Sequence, residues 1–355
     1  MNISELLEIV VKKSASDLHL IVGERPTLRV DGDLTPIPSS EPLTPDEAQN
    51  LIFELVTEEQ KELLLVNKEV DFSFALGDIA RFRVNSYHQK GYLAAALRLI
   101  PNKIRTVEEL NLPKICHQFT KLQQGFILVT GPTGHGKTTT IAALIAEINQ
   151  VRPVHVLTIE DPIEYIYPES KGIVSQRELH LDTHSWEIAL RSALREDPDV
   201  VLIGEMRDLE TIASAITIAE TGHLVFSTLH TNSAAQTIDR IVDVFPEHQQ
   251  GQIRTQLAST IAGVISQRLI PAIGGGRYPA VEVLMATPAV RTVIREGKTH
   301  LIDNIIQTSV DVGMISLESS LSNLVKAGRV VADTAQSYAL RPAEFLRQMK
   351  GRKEE

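Results

Sequence analysis

Gly131-Pro132-Thr133-Gly134-His135-Gly136-Lys137-Thr138 is the stretch that most restricts what this chain can fold into. An apolar run at 126–130 precedes it, and a stretch with helical periodicity, 138–148, follows. Glycine reaches backbone conformations closed to other residues, so the chain can curl with its N–H groups turned inward around an anion. The stretch fits the G-x-x-x-x-G-K-[ST] pattern in full and has the strand–loop–helix context the pattern requires. In such a loop Lys137 brings a charge to the β- and γ-phosphates of a nucleoside triphosphate, and Thr138 offers a hydroxyl to Mg²⁺. Thr139 completes the cradle, which runs from Gly131 to Thr139.

The segments that follow alternate. Strand-like runs at 154–159, 200–203 and 223–229 are separated by helical stretches, one of which carries Leu209, Ile212, Ala213, Ile216 and Ala219 on one face before Gly222. Strands alternating with helices predict a mostly parallel sheet covered on both sides, with its ligand beyond the carboxyl ends of the strands. Two acidic clusters fall at such ends. Asp197-Pro198-Asp199-Val200-Val201-Leu202-Ile203-Gly204-Glu205 resembles a Walker-B strand, with Gly204 where many P-loop enzymes place the metal-holding aspartate. Glu205 then serves the metal, the attacking water, or both. Glu160, Asp161 and Glu164 form the second cluster; Glu164 reads as functional, whereas Glu160 and Asp161 read equally well as solvated loop charge. His230, at the carboxyl end of 223–229, can reach a γ-phosphate, while His223 at the other end reads as structural or subunit-bridging. His180, Asp182 and His184 lack a metal-binding pattern and read as a loop.

The first hundred residues are of a different kind. Short strands are expected at 18–22, 27–30 and 34–37, with a hairpin turn at Asp31-Gly32. A helix opens at Pro45, a second runs to about Val66, and strands return at 70–75, 81–87 and 92–100. Along 81–85 the apolar Phe82 and Val84 alternate with Arg81, Arg83 and Asn85, giving one cationic strand face. Arg98 lies on the next strand. Phosphoryl transfer gains about 10³–10⁵ in rate from a guanidinium placed on the developing charge, and Arg81 and Arg83 read as two arginines on one strand face unpaired by any local acid. Arg191 and Arg195, spaced i, i+4, read either way. From Thr287 the chain turns helical, with Pro288 at the first helical position and Gly297 closing the helix; residues 351–355 read as a frayed end.

A net charge of −10 and the lack of a basic, aromatic-bearing segment weigh against nucleic acid as the partner, and so against a DNA-translocating ring. The glutamates and arginines weigh against a non-hydrolysing nucleotide-bound scaffold. With Cys116 as the single cysteine, neither an intrachain disulfide nor a cysteine zinc module can form. No apolar run approaches the ~20 residues of a membrane span, and the N-terminus carries acids where a signal peptide carries bases. A cytoplasmic protein without direct membrane insertion is expected.

Ala15-Ser16-Asp17-Leu18-His19-Leu20, the 81–89 strand, the 160–164 acids, the histidine segment and Gln267-Arg268-Leu269 together resemble the secretion ATPase superfamily, specifically the type IV pilus retraction ATPases of the PilT family. The resemblance runs from about residue 3 to 345. It implies an α/β protein: a PAS-like α+β N-terminal domain (1–100), a linker (101–114), a RecA-like P-loop ATPase domain (115–285) and a helical C-terminal extension (286–355). It further implies a homo-hexamer binding ATP and Mg²⁺, with Arg81, Arg83 and Arg98 as arginine fingers and His230 sensing the γ-phosphate. The implied partners are the pilus machinery and its inner-membrane platform protein, placing the chain at the periphery of the inner membrane. Extension motors of the superfamily carry a long extra N-terminal domain and a four-cysteine zinc site; lacking both, this sequence resembles the retraction type. Ala289-Val290-Arg291-Thr292-Val293-Ile294-Arg295-Glu296 is similar to a C-terminal retraction motif, Ala-Ile-Arg-Asn-Leu-Ile-Arg-Glu, but has Thr292 at the asparagine and two changed aliphatic positions. That departure leaves room for an accessory retraction paralogue.

Overall fold

Ile3, Leu6, Leu7 and Val10 recur at helical spacing, and Asn2 and Glu5 cap each other's backbone N–H groups, so the chain opens with a helix, α1 (Ile3–Lys12). The computed structural model describes residues 1–350 except Asp31, Asp78, Pro101 and Asn102. Asp31 of the expected hairpin turn, Pro101 of the expected linker and the 351–355 end therefore lie outside the described residues. The chain divides into two compact units, Met1–Lys103 with Pro162–Ile166, and Ile104–Asp161 with Tyr167 onward.

In the first unit, β1 (Asp17–Leu20), β2 (Thr27–Val30), β3 (Asp33–Pro36), β4 (Glu69–Leu76), β5 (Ala80–Gln89) and β6 (Tyr92–Ile100) form an antiparallel sheet in the order β3-β2-β1-β6-β5-β4. Helices α1, α2 (Pro45–Phe53) and α3 (Glu58–Asn67) accompany it, and α2 starts on a reciprocal Thr44–Glu47 cap with Pro45 in its first turn. Strict alternation in β5 puts Phe82 and Val84 into a core with Leu6, Leu18, Ile52 and Leu97. This is the expected PAS-like α+β unit.

The second unit is built on β7 (Gly125–Thr130), β8 (His155–Glu160), β9 (Ile173–Glu178), β10 (Val200–Ile203), β11 (Leu224–Leu229), β12 (Ile261–Pro271) and β13 (Arg277–Met285). Helix α4 (Cys116–Thr120) precedes β7, and between the strands lie α5 (Lys137–Val151), α6 (Trp186–Ala193), α7 (Leu209–Glu220), α8 (Ala234–Asp243) and α9 (Glu247–Thr260). The strand order is β13-β12-β7-β11-β10-β8-β9, parallel except for the β12–β13 hairpin. This is the RecA-like sheet. Its central strands are buried on both faces and are mostly apolar, as a sheet sandwiched between helices requires. Strands β9, β12 and β13 extend the sheet beyond the strands expected from sequence. The key consequence for function is that β11 lies between β7 and β10. Whatever follows β11 must therefore sit between the phosphate loop and Glu205.

The C-terminal helices α10 (Pro288–Arg295), α11 (Ile302–Thr308), α12 (Leu317–Lys326), α13 (Ala332–Tyr338) and α14 (Pro342–Lys350) close the chain. Thr287 caps α10 and Pro288 occupies its first turn, as the sequence predicts. Leu317, Leu321, Val330, Ala335 and Phe345 share a small core with Ile270 and Ala280 of the hairpin. Beside it Glu282 of β13 is 1 % exposed, and desolvation by burial pushes its carboxyl up to about 7. Asp303 and Glu318 add to the rise, and the Arg341 guanidinium opposes it. Arg268, on the neighbouring strand, also feels the Glu282 charge.

The sign of the pH effect follows. Between 4.5, the ordinary glutamate value, and about 7, the folded protein holds this proton more tightly than the unfolded chain does. Glu282 thus favours the fold at low pH, and that contribution is lost as pH rises through the window. E282Q should melt closer to, or above, the parent protein at pH 8 than at pH 5. Parallel melting curves at all pH values would refute the raised carboxyl.

Candidate nucleotide-hydrolysis site

The phosphate loop is positioned from two sides. Thr130 ends β7, and Gly136 caps α5 in a left-handed conformation (φ 81°) with no side chain over the helix start. The first N–H groups of α5 are thereby left facing an incoming anion, where the helix dipole also favours negative charge. Gln267 of β12 staples the loop: its Nε2 donates to His135 O (2.7 Å) and its Oε1 accepts from Thr140 Oγ1 (2.7 Å). His135 in turn accepts the Leu269 N–H on Nδ1 (2.9 Å). Burial holds the His135 imidazole below its ordinary value, and the charges of Arg268, Arg277 and Lys137 deepen the shift.

Two glycines have no substitute here. A Cβ on Gly131 (φ 141°) would sit 2.2 Å from Gln267 O, and one on Gly136 would sit 2.9 Å from Gln267 Nε2. The first obstacle is backbone, so it cannot swing aside. Gly131→Ala should cost at least ~2 kcal/mol of stability and most of the nucleotide affinity. A variant that melts and binds like the parent protein would show that the loop does not need this close approach.

At the floor of the loop, Lys137 is buried and folds back to donate to Gly131 O (2.9 Å) and Pro132 O (3.1 Å). His230 immediately follows β11, and its Nδ1 lies 3.4 Å from Lys137 Nζ and 3.3 Å from Thr133 Oγ1. Its Nε2 lies 2.9 Å from Glu205 Oε1. Donors on one side and a carboxylate on the other place the ring N–H on Nε2, with Nδ1 accepting. Glu205 Oε2 takes a hydrogen bond from Arg207 Nη2 at 2.9 Å. Burial would raise the Glu205 carboxyl, but the Arg207 hydrogen bond and charge, helped by His230 and Lys137, hold it below the usual range. The side chains of Lys137, His230 and Glu205 thus run in a line across three adjacent strand ends, with the carboxylate ionised at its far end.

Gly204 allows no easy replacement by aspartate, since a Cβ there would meet Glu160 Cα and Ile159 O at 3.3 Å. Glu160 itself is buried, accepting from Thr158 Oγ1 (2.7 Å) and Gln176 Nε2 (3.3 Å). Solvated loop charge is therefore the wrong description of Glu160. It does describe the exposed Asp161. The fold explains the difference: β9, unforeseen in the sequence, pairs alongside β8 and covers Glu160.

The arginine face is real, but not free of acids. Arg29, Asp17, Arg98, Arg83 and Ser73 stand directly opposite one another across β2, β1, β6, β5 and β4. Arg98 Nε meets Asp17 Oδ1 at 2.9 Å, and Arg81 donates to Ser73 Oγ at 2.9 Å. Glu164 lies in the segment that groups with this first unit, and its Oε1 is 3.7 Å from Arg83 Nη1. Arg83 thus acquires as its neighbour an acid remote in sequence. Both side chains are about 40 % exposed, so the attraction is weak and easily exchanged for another anion.

His223 sits at the end of α7, with Nδ1 3.0 Å from Ile218 O, and Arg191 pairs with Glu187 one turn away. His180, Asp182 and His184 belong to no metal-binding group among the described residues. Arg207 and Arg277 went unnoticed in the sequence. Arg207 stands two residues after Glu205, a spacing that offers a signal, whereas Arg277 reaches Gly134 O (3.4 Å) only because of the β12–β13 hairpin.

A RecA-like sheet with a phosphate loop and an ionised glutamate across one intervening strand defines a P-loop nucleotide hydrolase. The family model described as "Type II/IV secretion system protein" matches residues 1–312, and the chain belongs to that family. The type IV pilus retraction ATPase PilT of Pseudomonas aeruginosa is 47% identical over 345 residues, 97% of this chain and all of that one. A twitching motility protein of Neisseria gonorrhoeae is 47% identical over 315 residues, 88% of this chain and 84% of that protein. A crystal structure of the pilus retraction motor PilT with bound ADP superimposes with a TM-score of 0.91 at 44% identity, covering 98% of this chain and 99% of that one. This chain is an ATPase of the retraction-motor kind.

Proposed function

We propose that the chain is a homo-hexameric ATPase that powers type IV pilus retraction, and with it twitching motility. The observation that carries the chemistry is the line of Lys137, His230 and Glu205 over three adjacent strand ends. ATP enters with its β- and γ-phosphates in the cradle from Gly131 to Thr139, covering Pro132, Thr133, Gly134, His135, Gly136 and Thr138. Lys137 then exchanges the carbonyls of Gly131 and Pro132 for phosphate oxygens. Thr138 and Glu205 are hard oxygen donors of the type Mg²⁺ takes, and Glu205 is already ionised. Bound there, Mg²⁺ would supply neutralisation of the triphosphate charge. Glu205 orients and deprotonates the attacking water, and Glu164 is the alternative residue for that role. His230 senses the γ-phosphate and passes its presence to Glu205 through the ring.

Arg81, Arg83 and Arg98 act as arginine fingers in the assembled ring. Charge-assisted hydrogen bonds to the γ-phosphate hold a closed arrangement, and hydrolysis releases them. The moving ring acts on an inner-membrane platform protein of the pilus machinery from the cytoplasmic side. Among the described residues, no helix is long and apolar enough to cross a membrane.

Steady-state phosphate release by the purified chain, with the oligomer sized in the same buffer, tests this reading. Turnover from hexamers is expected; nucleotide binding without phosphate release would overturn it. Arg83→Ala should lower turnover ~100-fold or more in assembled protein while ATP affinity changes less than about threefold. Equal losses in both would remove Arg83 from the chemistry.

A further inference from the structure

Away from the phosphate loop, four carboxylates converge on one guanidinium. Arg341, immediately before α14, pairs through Nη1 with Asp303 of α11. Its Nη2 lies 3.2 Å from Glu318 of α12 and 3.8 Å from Glu282, and its Nε lies 3.4 Å from Glu344. Glu282 uses its other oxygen, Oε1, to accept the Ala234 N–H at 2.7 Å. Ala234 opens α8, where first-turn N–H groups have no acceptor within the helix and a carboxylate also meets the positive end of the dipole.

Three residues separate Ala234 from His230, and each is tied to the first turns of α8. Thr231 Oγ1 lies 2.7 Å from Thr237 Oγ1; the Asn232 N–H donates to Gln236 Oε1 at 2.8 Å; Ser233 Oγ accepts the Gln236 N–H at 3.2 Å. Thr237 also reaches Thr130 Oγ1, 3.5 Å away at the end of β7. The amino end of α8 therefore sets where His230 stands. Burying a carboxylate is a costly way merely to fill space, since an apolar side chain of similar volume does that at lower cost.

We infer that Glu282, with Arg341 as its counter-ion, is a positioning residue for hydrolysis: it fixes the amino end of α8 and so holds the His230 imidazole between Lys137 and Glu205. The inference rests on the reading of His230 as part of the hydrolytic site. It also gives the C-terminal helices a physical connection to that site, because Arg341 joins Glu282 to α11 and α12 as well as to α14.

A double-mutant cycle on the full-length chain decides the matter. ATP hydrolysis is measured for E282A and E282Q, each alone and combined with H230Q. E282A should lower kcat by about tenfold with KM within about threefold, because the phosphate loop is untouched. E282Q keeps an oxygen for the Ala234 N–H and should recover most of that loss. In the H230Q background E282A should cost less than about twofold, since the loop no longer carries the ring that needs placing. Should E282A fail to fold, the E282Q pair carries the cycle, with a smaller loss that again vanishes beside H230Q. The same fold-loss in both backgrounds would overturn the inference while leaving the site intact. An unchanged kcat for H230Q alone would instead remove His230 from the site, and the inference would fall with it.

Discussion

Lys137→Ala should leave the purified protein with no measurable ATP turnover and with ATP affinity lowered at least ~100-fold. Two hydrogen bonds from an ammonium to phosphate oxygens are worth about 1.5–3 kcal/mol each, and each 1.4 kcal/mol is a factor of ten. A second effect points the same way. Lys137 Nζ satisfies the carbonyls of Gly131 and Pro132, so its removal leaves both acceptors without their cation and loosens the loop. The rest of the sheet should survive, because its core of Phe126, Leu128, Leu157, Ile203 and Val225 does not depend on the lysine. Titration with a fluorescent ATP analogue, beside a thermal melt, separates the two quantities. Retained affinity would mean that another cation holds the phosphates.

Glu205→Gln should do the opposite to binding. The amide preserves shape and can still accept from Arg207, so nucleotide affinity should change by less than about threefold. Turnover should fall ~10²–10⁴-fold, the usual share of a general base. The variant should accumulate in an ATP-bound state, detectable as unhydrolysed nucleotide recovered from the isolated protein. As pH falls through its lowered folded-state value, beneath the ordinary glutamate range, the parent protein should come to resemble it. Interaction with Arg207 lowers the carboxyl in the folded state, so its stabilising contact persists above the unfolded value and is lost as pH falls through the folded one. Normal turnover by Glu205→Gln would remove this residue from the chemistry.

Sequence alone discloses the parts of this site whose chemistry is local. A glycine loop, its lysine and the apolar strand before it are contiguous, and the run ending at Glu205 announces itself as a buried parallel strand. His230 could be placed because strand ends share one edge in an open sheet. What stays hidden depends on pairing at a distance. α9 passes into β12 at Ile261 with no glycine or proline to mark the change, and its four glutamines, Gln249, Gln250, Gln252 and Gln256, blur any apolar stripe. Without that boundary the hairpin is lost, and with it Gln267 as the staple of the loop and Arg277 at its rim. Glu160 and Glu164 were legible as acids but not as neighbours, since burial of the first needs β9 and pairing of the second needs β5. The stripe of Ile3, Leu6, Leu7 and Val10 was open to reading as a helix, since its spacing is local.

A retraction motor of this design requires that ATP consumed at Lys137 draw pili in. Surface pilin and twitching zones should be measured in cells lacking this chain, and again after complementation with the parent protein or with Lys137→Ala. Loss of the chain should give hyperpiliated, immobile cells that the parent protein corrects and Lys137→Ala does not. Restoration of motility by the Lys137→Ala protein, or normal piliation and movement without the chain, would contradict it.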